Sequence, residues 1–196
     1  MKNITFLSSA LLLSVSLVAP QAHAAPKGGS PYVGITAGYG TAKDKLTILG
    51  KHSTKESTIK GRTKGTPVGV FAGYGYHFQN DFYLAGEADY IRNLGRTYKS
   101  TAGGSSFGVS VLPGYFVRPN TLLFSRIGYR HGEDGENGLT FGGGVSQYLT
   151  DNLELRLEYV STRFGTHHRE KDKISDVSYR MKESDQNVRL GVSYHF

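Results

Sequence analysis

The feature that most constrains this chain is a period of two in side-chain size and polarity, which recurs along most of its length. An early segment places apolar residues at every second position, at Val33, Ile35, Ala37 and Tyr39. A later one alternates apolar residues with charges, the apolar positions being Leu153, Leu155, Leu157 and Tyr159. Successive side chains of a β-strand point to opposite faces, so this pattern indicates strands with one apolar face. We count eight such segments, each of about ten residues, the length that a tilted transmembrane strand needs.

The distribution of bulk between the two faces separates a membrane barrel from a soluble sheet. The apolar faces end repeatedly in aromatic residues, as girdles at two membrane interfaces require: Tyr39, Tyr76, Phe78, Phe82, Tyr90, Tyr129, Tyr159 and Phe196. The opposite faces carry glycine, serine and a few charges, which suit a narrow lumen, whereas a soluble barrel needs its bulk inside. The sequence therefore predicts an all-β fold, an eight-stranded antiparallel up-and-down transmembrane β-barrel.

The amino terminus predicts export from the cytoplasm. Lys2 precedes an apolar stretch over Phe6 to Val18, and Ala22-His23-Ala24 forms an A-x-A cleavage site. This is the layout of a secretory signal peptide, which we place at residues 1–24, with the barrel domain at 25–196. No long apolar run follows, so the only membrane-spanning form open to the rest of the chain is a closed barrel.

The links between the predicted strands alternate in length. The short ones consist of turn residues, at 79–81, 118–121 and 150–152. The long ones are hydrophilic and are predicted as loops at 43–66, 92–105, 131–138 and 162–185. Short periplasmic turns and long extracellular loops are typical of outer-membrane barrels. This pattern predicts the outer membrane as the location, with both termini on the periplasmic side.

Three stretches make the chain similar to a known family. They are SSFGVSVLPGYFVRPNTLLFSRIGYRHG, GLTFGGGVSQYLTDNLELRLEYVST and the closing NVRLGVSYHF. They resemble strands of the small OmpA/OmpX-like outer-membrane β-barrels, in the porin-like surface-antigen branch of Gram-negative bacteria. The resemblance covers essentially the whole chain after the signal peptide. It implies that Tyr194 and Phe196 act as the assembly signal read by the barrel-assembly machinery, although Phe196 also fits a plain interface aromatic.

Charged residues on the polar faces are candidates for a lumen network. Seven of them are Glu87, Asp89, Arg126, Glu154, Arg156, Glu158 and Arg189. Buried charges are costly unless paired, which favours ion pairs that fill the lumen over a narrow, gated pore. Catalysis by paired carboxylates would require a cleft that admits a substrate, and the sequence indicates none. His77 and His195 are candidate bases for a hydrolase, but no serine motif accompanies them. We expect no catalytic, cofactor-binding or metal-binding residues, since His167-His168 has no third ligand and the chain has no cysteine.

Basic residues concentrate in the first two long links. They form a candidate extracellular basic patch of Lys43, Lys45, Lys51, Lys55, Lys60, Arg62, Lys64, Arg92, Arg96 and Lys99, in a chain of formal net charge +7. Such a surface attracts lipopolysaccharide phosphates or an acidic host glycan, and a merely solvated loop remains an alternative. No motif indicates nucleic-acid binding. The primary hypothesis is a non-enzymatic surface protein that anchors extracellular loops for adhesion, antigen display or envelope integrity, in contact with outer-membrane lipid. A narrow porin for ions or small solutes is the alternative.

Overall fold

The computed structural model describes residues 27–50, 57–94, 104–133, 135, 137–165, 167–169 and 177–196. For 43–50, 57–63, 167–169 and 177–183 the description is of the backbone. Most of these residues form strands, which are β1 Gly28–Gly50, β2 Ser57–His77, β3 Phe82–Leu94, β4 Ser105–Arg118, β5 Thr121–Gly132, β6 Asn137–Tyr148, β7 Leu153–Phe164, β8 His167–Arg169 and β9 Val177–His195. The predicted signal peptide lies outside the described residues.

The strands form one closed antiparallel sheet. Strands β1 to β6 each pair with the next strand in sequence, β7 and β8 both pair with β9, and β1 also pairs with β9, which closes the barrel. The short β8 continues β7, because four residues separate Arg163 from His167 while their partners on β9, Ser184 and Met181, are three apart. The extra residue on the β7–β8 side indicates a β-bulge, so β7 and β8 form one interrupted strand. The nine segments therefore make eight strands around the barrel. The predicted eight-stranded antiparallel barrel is confirmed.

Two of the four long links, 43–66 and 162–185, were predicted too long and the strands beside them too short, whereas 92–105 and 131–138 agree with the structure to within three residues at each end. β1 runs through Gly50 and β2 begins at Ser57, so most of the link predicted at 43–66 is hairpin. β9 likewise begins at Val177, well inside the link predicted at 162–185. The apolar alternation ends where the outer face loses its bulky residues, but the backbone pairing continues without a change of register from Ala37↔Val68 to Ile48↔Ser57. Beyond Tyr39 the outward positions at 41, 43, 45 and 47 are polar, as suits a sheet that has left the lipid, so an apolar outer face cannot mark where such strands end.

The three short links lie together at one end of the barrel, with Gly28 and Phe196. We call this the turn end, and the opposite end, where β1 and β2 extend furthest, the extended end. In the β2–β3 link the amide of Phe78 donates to the carbonyl of Phe82 at 2.8 Å, and Asp81 adopts a positive φ of 63°. Asp tolerates this left-handed conformation better than most residues, as the turn prediction assumed.

The outer face of the barrel is apolar. Ile35 is 66% exposed and Leu190 57%, and the other bulky residues of the alternating series are exposed with them. A continuous apolar band of this extent is unusual for a soluble monomer and suits contact with lipid. Among the described residues there is no helix of the length and hydropathy needed to cross a membrane.

The lumen near the turn end contains large apolar side chains, contrary to the prediction of a lumen lined by small and charged residues. The cluster comprises Tyr32, Phe71, Tyr83, Ala85, Leu112, Phe116, Leu122, Phe124 and Tyr148. Glycines on adjacent strands make room for the rings. A Cβ at Gly34 would lie 2.7 Å from Phe71 Cε2, and one at Gly73 would lie 2.5 Å from the Tyr32 hydroxyl. The inward glycines therefore create the space that the aromatic residues fill.

Candidate functional site

The seven charged residues of the predicted lumen network all lie on inward positions and are buried. They come from β3, β5, β7 and β9, where inward residues alternate with lipid-facing ones. Six of them form a connected group, Glu87, Arg126, Glu154, Arg156, Glu158 and Arg189, which we call the lumen network. The seventh, Asp89, pairs separately. Because the barrel wall is one sheet, strands far apart in sequence bring these side chains together across its interior.

Glu87 on β3 is the centre of the lumen network. Its carboxylate accepts hydrogen bonds from Arg126 Nη2 at 2.5 Å, from Arg156 Nη1 at 2.6 Å and from the Tyr32 hydroxyl at 3.0 Å. Arg126 also donates to Glu158 Oε2, at 2.9 Å from Nη2. Charge-assisted bonds of this kind are stronger than neutral ones and offset part of the cost of removing the charges from water.

The network extends to the turn end through Glu154. Arg156 Nε donates to Glu154 Oε1 at 3.1 Å, while Glu154 Oε2 lies 2.6 Å from His195 Nε2 and 2.9 Å from the Ser193 hydroxyl that donates to it. The Arg156 guanidinium also lies over the Phe71 ring, 4.9 Å from its centroid. Arg156 therefore joins the charged middle of the lumen to the aromatic cluster beneath it.

A second ion pair lies beside the network and includes a residue that sequence reasoning missed. Arg130 Nη2 donates to both carboxylate oxygens of Asp89, at 2.8 Å to Oδ2, and Nη1 donates to Ser106 Oγ at 2.9 Å. Both charged side chains are buried. The alternation could have predicted its inward position, because Arg126, Gly128 and Arg130 occupy successive inward positions of β5.

The network leaves little open space at the middle of the lumen. The cavity among Glu87, Arg126, Glu158 and Arg189 measures about 10 Å³, which is about the space that one water molecule occupies. Arg126 Nη1 and Arg189 Nε face no hydrogen-bond acceptor among the described residues. Arg189 Nη1 lies 3.9 Å from Glu158 Oε1. The charges thus fill the interior at this level.

The two candidate bases of the hydrolase hypothesis are both buried at the turn end. His77 packs against Phe116, with ring centroids 4.1 Å apart, and its Nε2 lies 3.6 Å from Asp81. His195 lies between Glu154 and Ser30, whose Oγ is 3.4 Å from His195 Nδ1. This order resembles a Ser-His-acid triad, but Ser30 Oγ is directed at the carbonyl oxygens of Pro31 and Phe196, each at 3.3 Å.

The other predicted site residues lie on the outer face or outside the described residues. No group of three or more His, Asp or Glu side chains that could hold a metal occurs in the part of the chain that the structure describes. Tyr194 and Phe196 are exposed on the outer face, with ring centroids 5.2 Å apart. In the basic patch, Lys64 and Arg92 are exposed, and Lys43 pairs with Arg62 and Lys45 with Lys60 in the β1–β2 register. The rest of the patch, Lys51, Lys55, Arg96 and Lys99, lies outside the described residues.

Comparison with known proteins agrees with this architecture. Residues 8–196 match the family model described as the outer membrane protein beta-barrel domain. The chain is 30% identical over 179 residues to the 25 kDa outer-membrane immunogenic protein of Brucella canis, covering 84% of this chain and 78% of the relative. It is 27% identical over 236 residues to the 31 kDa outer-membrane immunogenic protein of Brucella melitensis, covering 97% and 95%.

Among solved structures, the outer membrane protein OprG of Pseudomonas aeruginosa shares the fold. The two align with a TM-score of 0.51 at 12% identity, over 90% of this chain and 98% of OprG. The relatives are named as outer-membrane immunogenic proteins rather than as enzymes. The resemblance found in the sequence is thereby confirmed, and with it the location in the outer membrane. This chain belongs to the outer membrane protein β-barrel domain family.

Proposed function

We propose that the protein is a non-enzymatic surface barrel that anchors long extracellular hairpins and does not conduct ions. The observation that carries this proposal is the lumen network, with its cavity of about 10 Å³ among Glu87, Arg126, Glu158 and Arg189. A hydrated ion or small solute needs a continuous water-filled path, whereas these side chains bond to one another across the interior. The network then serves to hold the wall rigid beneath the hairpins.

The extended end supports the display of hairpins. Tyr39 is the last bulky aromatic residue on the outer face of β1, and the strand continues to Gly50. At about 3.4 Å per residue these further eleven positions correspond to roughly 37 Å of strand beyond the aromatic level. Most of that length extends out of the lipid, where it is available to antibodies or to a partner.

The orientation follows the usual layout of such barrels. Short turns face the periplasm and long connections face outside, so the turn end, with both termini, is periplasmic. Phe196 then lies at the periplasmic rim beside Tyr194, where the barrel-assembly machinery could reach it during insertion. The hairpins of the extended end face the surroundings of the cell, as the immunogenic names of the relatives would require.

The alternative, a narrow pore, is separated from this proposal by conductance. Purified, refolded protein is inserted into planar bilayers, and the wild type is expected to give no ion-specific current steps. Replacing Arg126 and Glu87 together with alanine enlarges the lumen and is the positive control for detection. Steady single-channel currents from the wild type, abolished by Glu87→Gln, would instead support the pore.

Display is tested separately on intact cells. An epitope inserted between residues 51 and 56 is expected to bind antibody without permeabilisation, whereas one inserted between Asn80 and Asp81 needs the outer membrane opened. Deletion of residues 51–56 is the control, because it should leave the barrel folded and abolish only the binding that depends on this segment. The reverse pattern of epitope access would refute the proposed orientation.

A further inference from the structure

The strand register arranges basic residues in rows across one side of the extended end. In one row, Arg163 on β7 pairs with Ser184 on β9. Ser184 pairs in turn with Lys43 on β1, and Lys43 pairs with Arg62 on β2. In the next row outward, Lys182 pairs with Lys45, and Lys45 with Lys60. One row nearer the membrane, Lys64 pairs with Thr41. The hydrogen-bonded ladder therefore brings together cations from four strands.

All these positions lie on the outer face of the sheet. On β1 the positions of Lys43 and Lys45 continue the exposed series that ends with Tyr39, with no change of register between them. Arg163 and Lys64 are themselves exposed. We call this set, Arg163, Lys43, Arg62, Lys64, Lys182, Lys45 and Lys60, the cationic face.

Acidic residues of the same strands fall on the opposite face. Asp44 and Glu183 pair with each other at positions that alternate with those of the cationic face, and Asp185 pairs with the buried Ala42. The cations of these rows therefore occupy outward positions, and Asp44, Glu183 and Asp185 occupy inward ones. The separation matters because neighbouring carboxylates would otherwise neutralise the lysines and leave no site for an external anion.

The height of the cationic face relates it to the membrane. Lys64 lies two positions beyond the level of Tyr39, and Lys43 and Arg62 lie four beyond it. These spacings correspond to about 7 and 14 Å along the strand, or roughly 5 and 10 Å in height at a tilt near 45°. The headgroup layer of a bilayer is about 5–8 Å thick on each side. The lower rows thus lie beside the headgroups, which flexible lysine and arginine side chains reach.

We propose that the cationic face binds the phosphate groups of lipopolysaccharide molecules that surround the barrel in the outer leaflet. This inference rests on the proposed function in one respect, the placement of the extended end outside the cell. A row of four strands spans about 14 Å, three spacings of about 4.8 Å, so one row can contact more than one phosphate. A site that faces sideways at headgroup height favours a membrane glycolipid over a soluble host glycan, which would approach from above.

The test measures binding of purified lipid A to the full-length refolded barrel in zwitterionic detergent micelles. The triple variant Lys43→Gln, Arg62→Gln, Arg163→Gln is compared with Lys51→Gln, Lys55→Gln, Lys99→Gln, which removes the same charge from links between strands. We expect the wild type to bind bisphosphorylated lipid A at least tenfold more tightly than dephosphorylated lipid A. The first variant should lose at least tenfold in affinity and the second no more than about twofold, given the attraction that each basic residue contributes near an anionic surface.

Three results would overturn the proposal. Equal losses in both variants would show that net charge rather than the cationic face is responsible. Equal affinity for phosphorylated and dephosphorylated lipid A would remove phosphate as the ligand. Weakened binding of a soluble polysulfated glycan, with lipid A binding unchanged, would assign the face to a host glycan. Folding of each variant is checked by its gel mobility before heating. Because the assay uses neither conductance nor intact cells, its failure is distinguishable from failure of the proposed function.

Discussion

The Asp89–Arg130 pair allows the contribution of buried charge to barrel stability to be measured directly. Among the described side chains, Arg130 donates hydrogen bonds to Asp89 and Ser106, and both charged groups are almost fully buried. We expect Asp89→Leu alone to lower the free energy of unfolding by about 3–5 kcal/mol, because it leaves Arg130 buried without its carboxylate. Arg130→Leu should cost a similar amount. The double variant, which replaces the ion pair by two apolar side chains, should cost less than either single change.

The double-mutant cycle is measured by urea titration of the barrel in lipid vesicles. The chain has no tryptophan, so the folded fraction is read from the mobility of unheated samples on a gel. Ser106→Ala is the matched control, since it removes only a bond to a neutral hydroxyl and should cost about 0.5–2 kcal/mol. Single changes that cost under about 1 kcal/mol, or a double variant that costs the sum of both, would refute the reasoning.

Three further changes test other parts of the barrel. Gly75→Val should block folding because its side chain would overlap the Tyr83 ring, the nearest group to a Cβ at that position, and Tyr83→Ala should partly restore the folded gel band. Ile35→Arg, in the middle of the apolar band, should destabilise the barrel by about 2–4 kcal/mol in the same urea titration. Tyr39→Arg, near the interface, should cost only about 0–1 kcal/mol. Equal costs would contradict the assigned membrane level. Deleting Phe196 should reduce the barrel recovered in outer-membrane fractions of cells but not refolding in detergent, and an equal reduction in both would argue against an assembly signal.

The parts of the structure that repeat every second residue could be predicted from the sequence. The outer apolar band, the eight strands and the inward positions of residues such as Glu87 and Arg156 all follow from the alternation. Two things did not follow. The extension of β1 towards Gly50 lies where the outward positions turn polar, at Thr41, Lys43, Lys45 and Thr47, while the apolar Leu46 and Ile48 fall at the alternate positions, so an apolar outer face no longer marks the strand. The aromatic cluster depends on which ring lies opposite which glycine, as with Phe71 and Gly34, and that requires the register between strands.

The specific partners within the lumen could not be predicted for the same reason. Arg126 contacts Glu87 and Glu158, which come from strands 39 and 32 residues away in the chain. Which carboxylate an arginine meets inside a barrel is decided by the stagger of the strands and by side-chain direction, and a single sequence contains neither. The separation of cations and acids at the extended end was hidden in the same way, because Lys182 comes from a different link from Lys45.

The contacts of the last strand have a consequence for the order of folding. Glu154 on β7 acquires Ser193 and His195 as partners, and Ser30 on β1 approaches His195, only when β9 lies between β7 and β1. An incomplete sheet would leave the carboxylate of Glu154 facing the lumen with Arg156 as its neighbour and without those two donors. Closure is therefore rewarded by polar contacts at the moment when the final residues of the chain reach the first strand, which favours the closed cylinder over any open, partly inserted sheet.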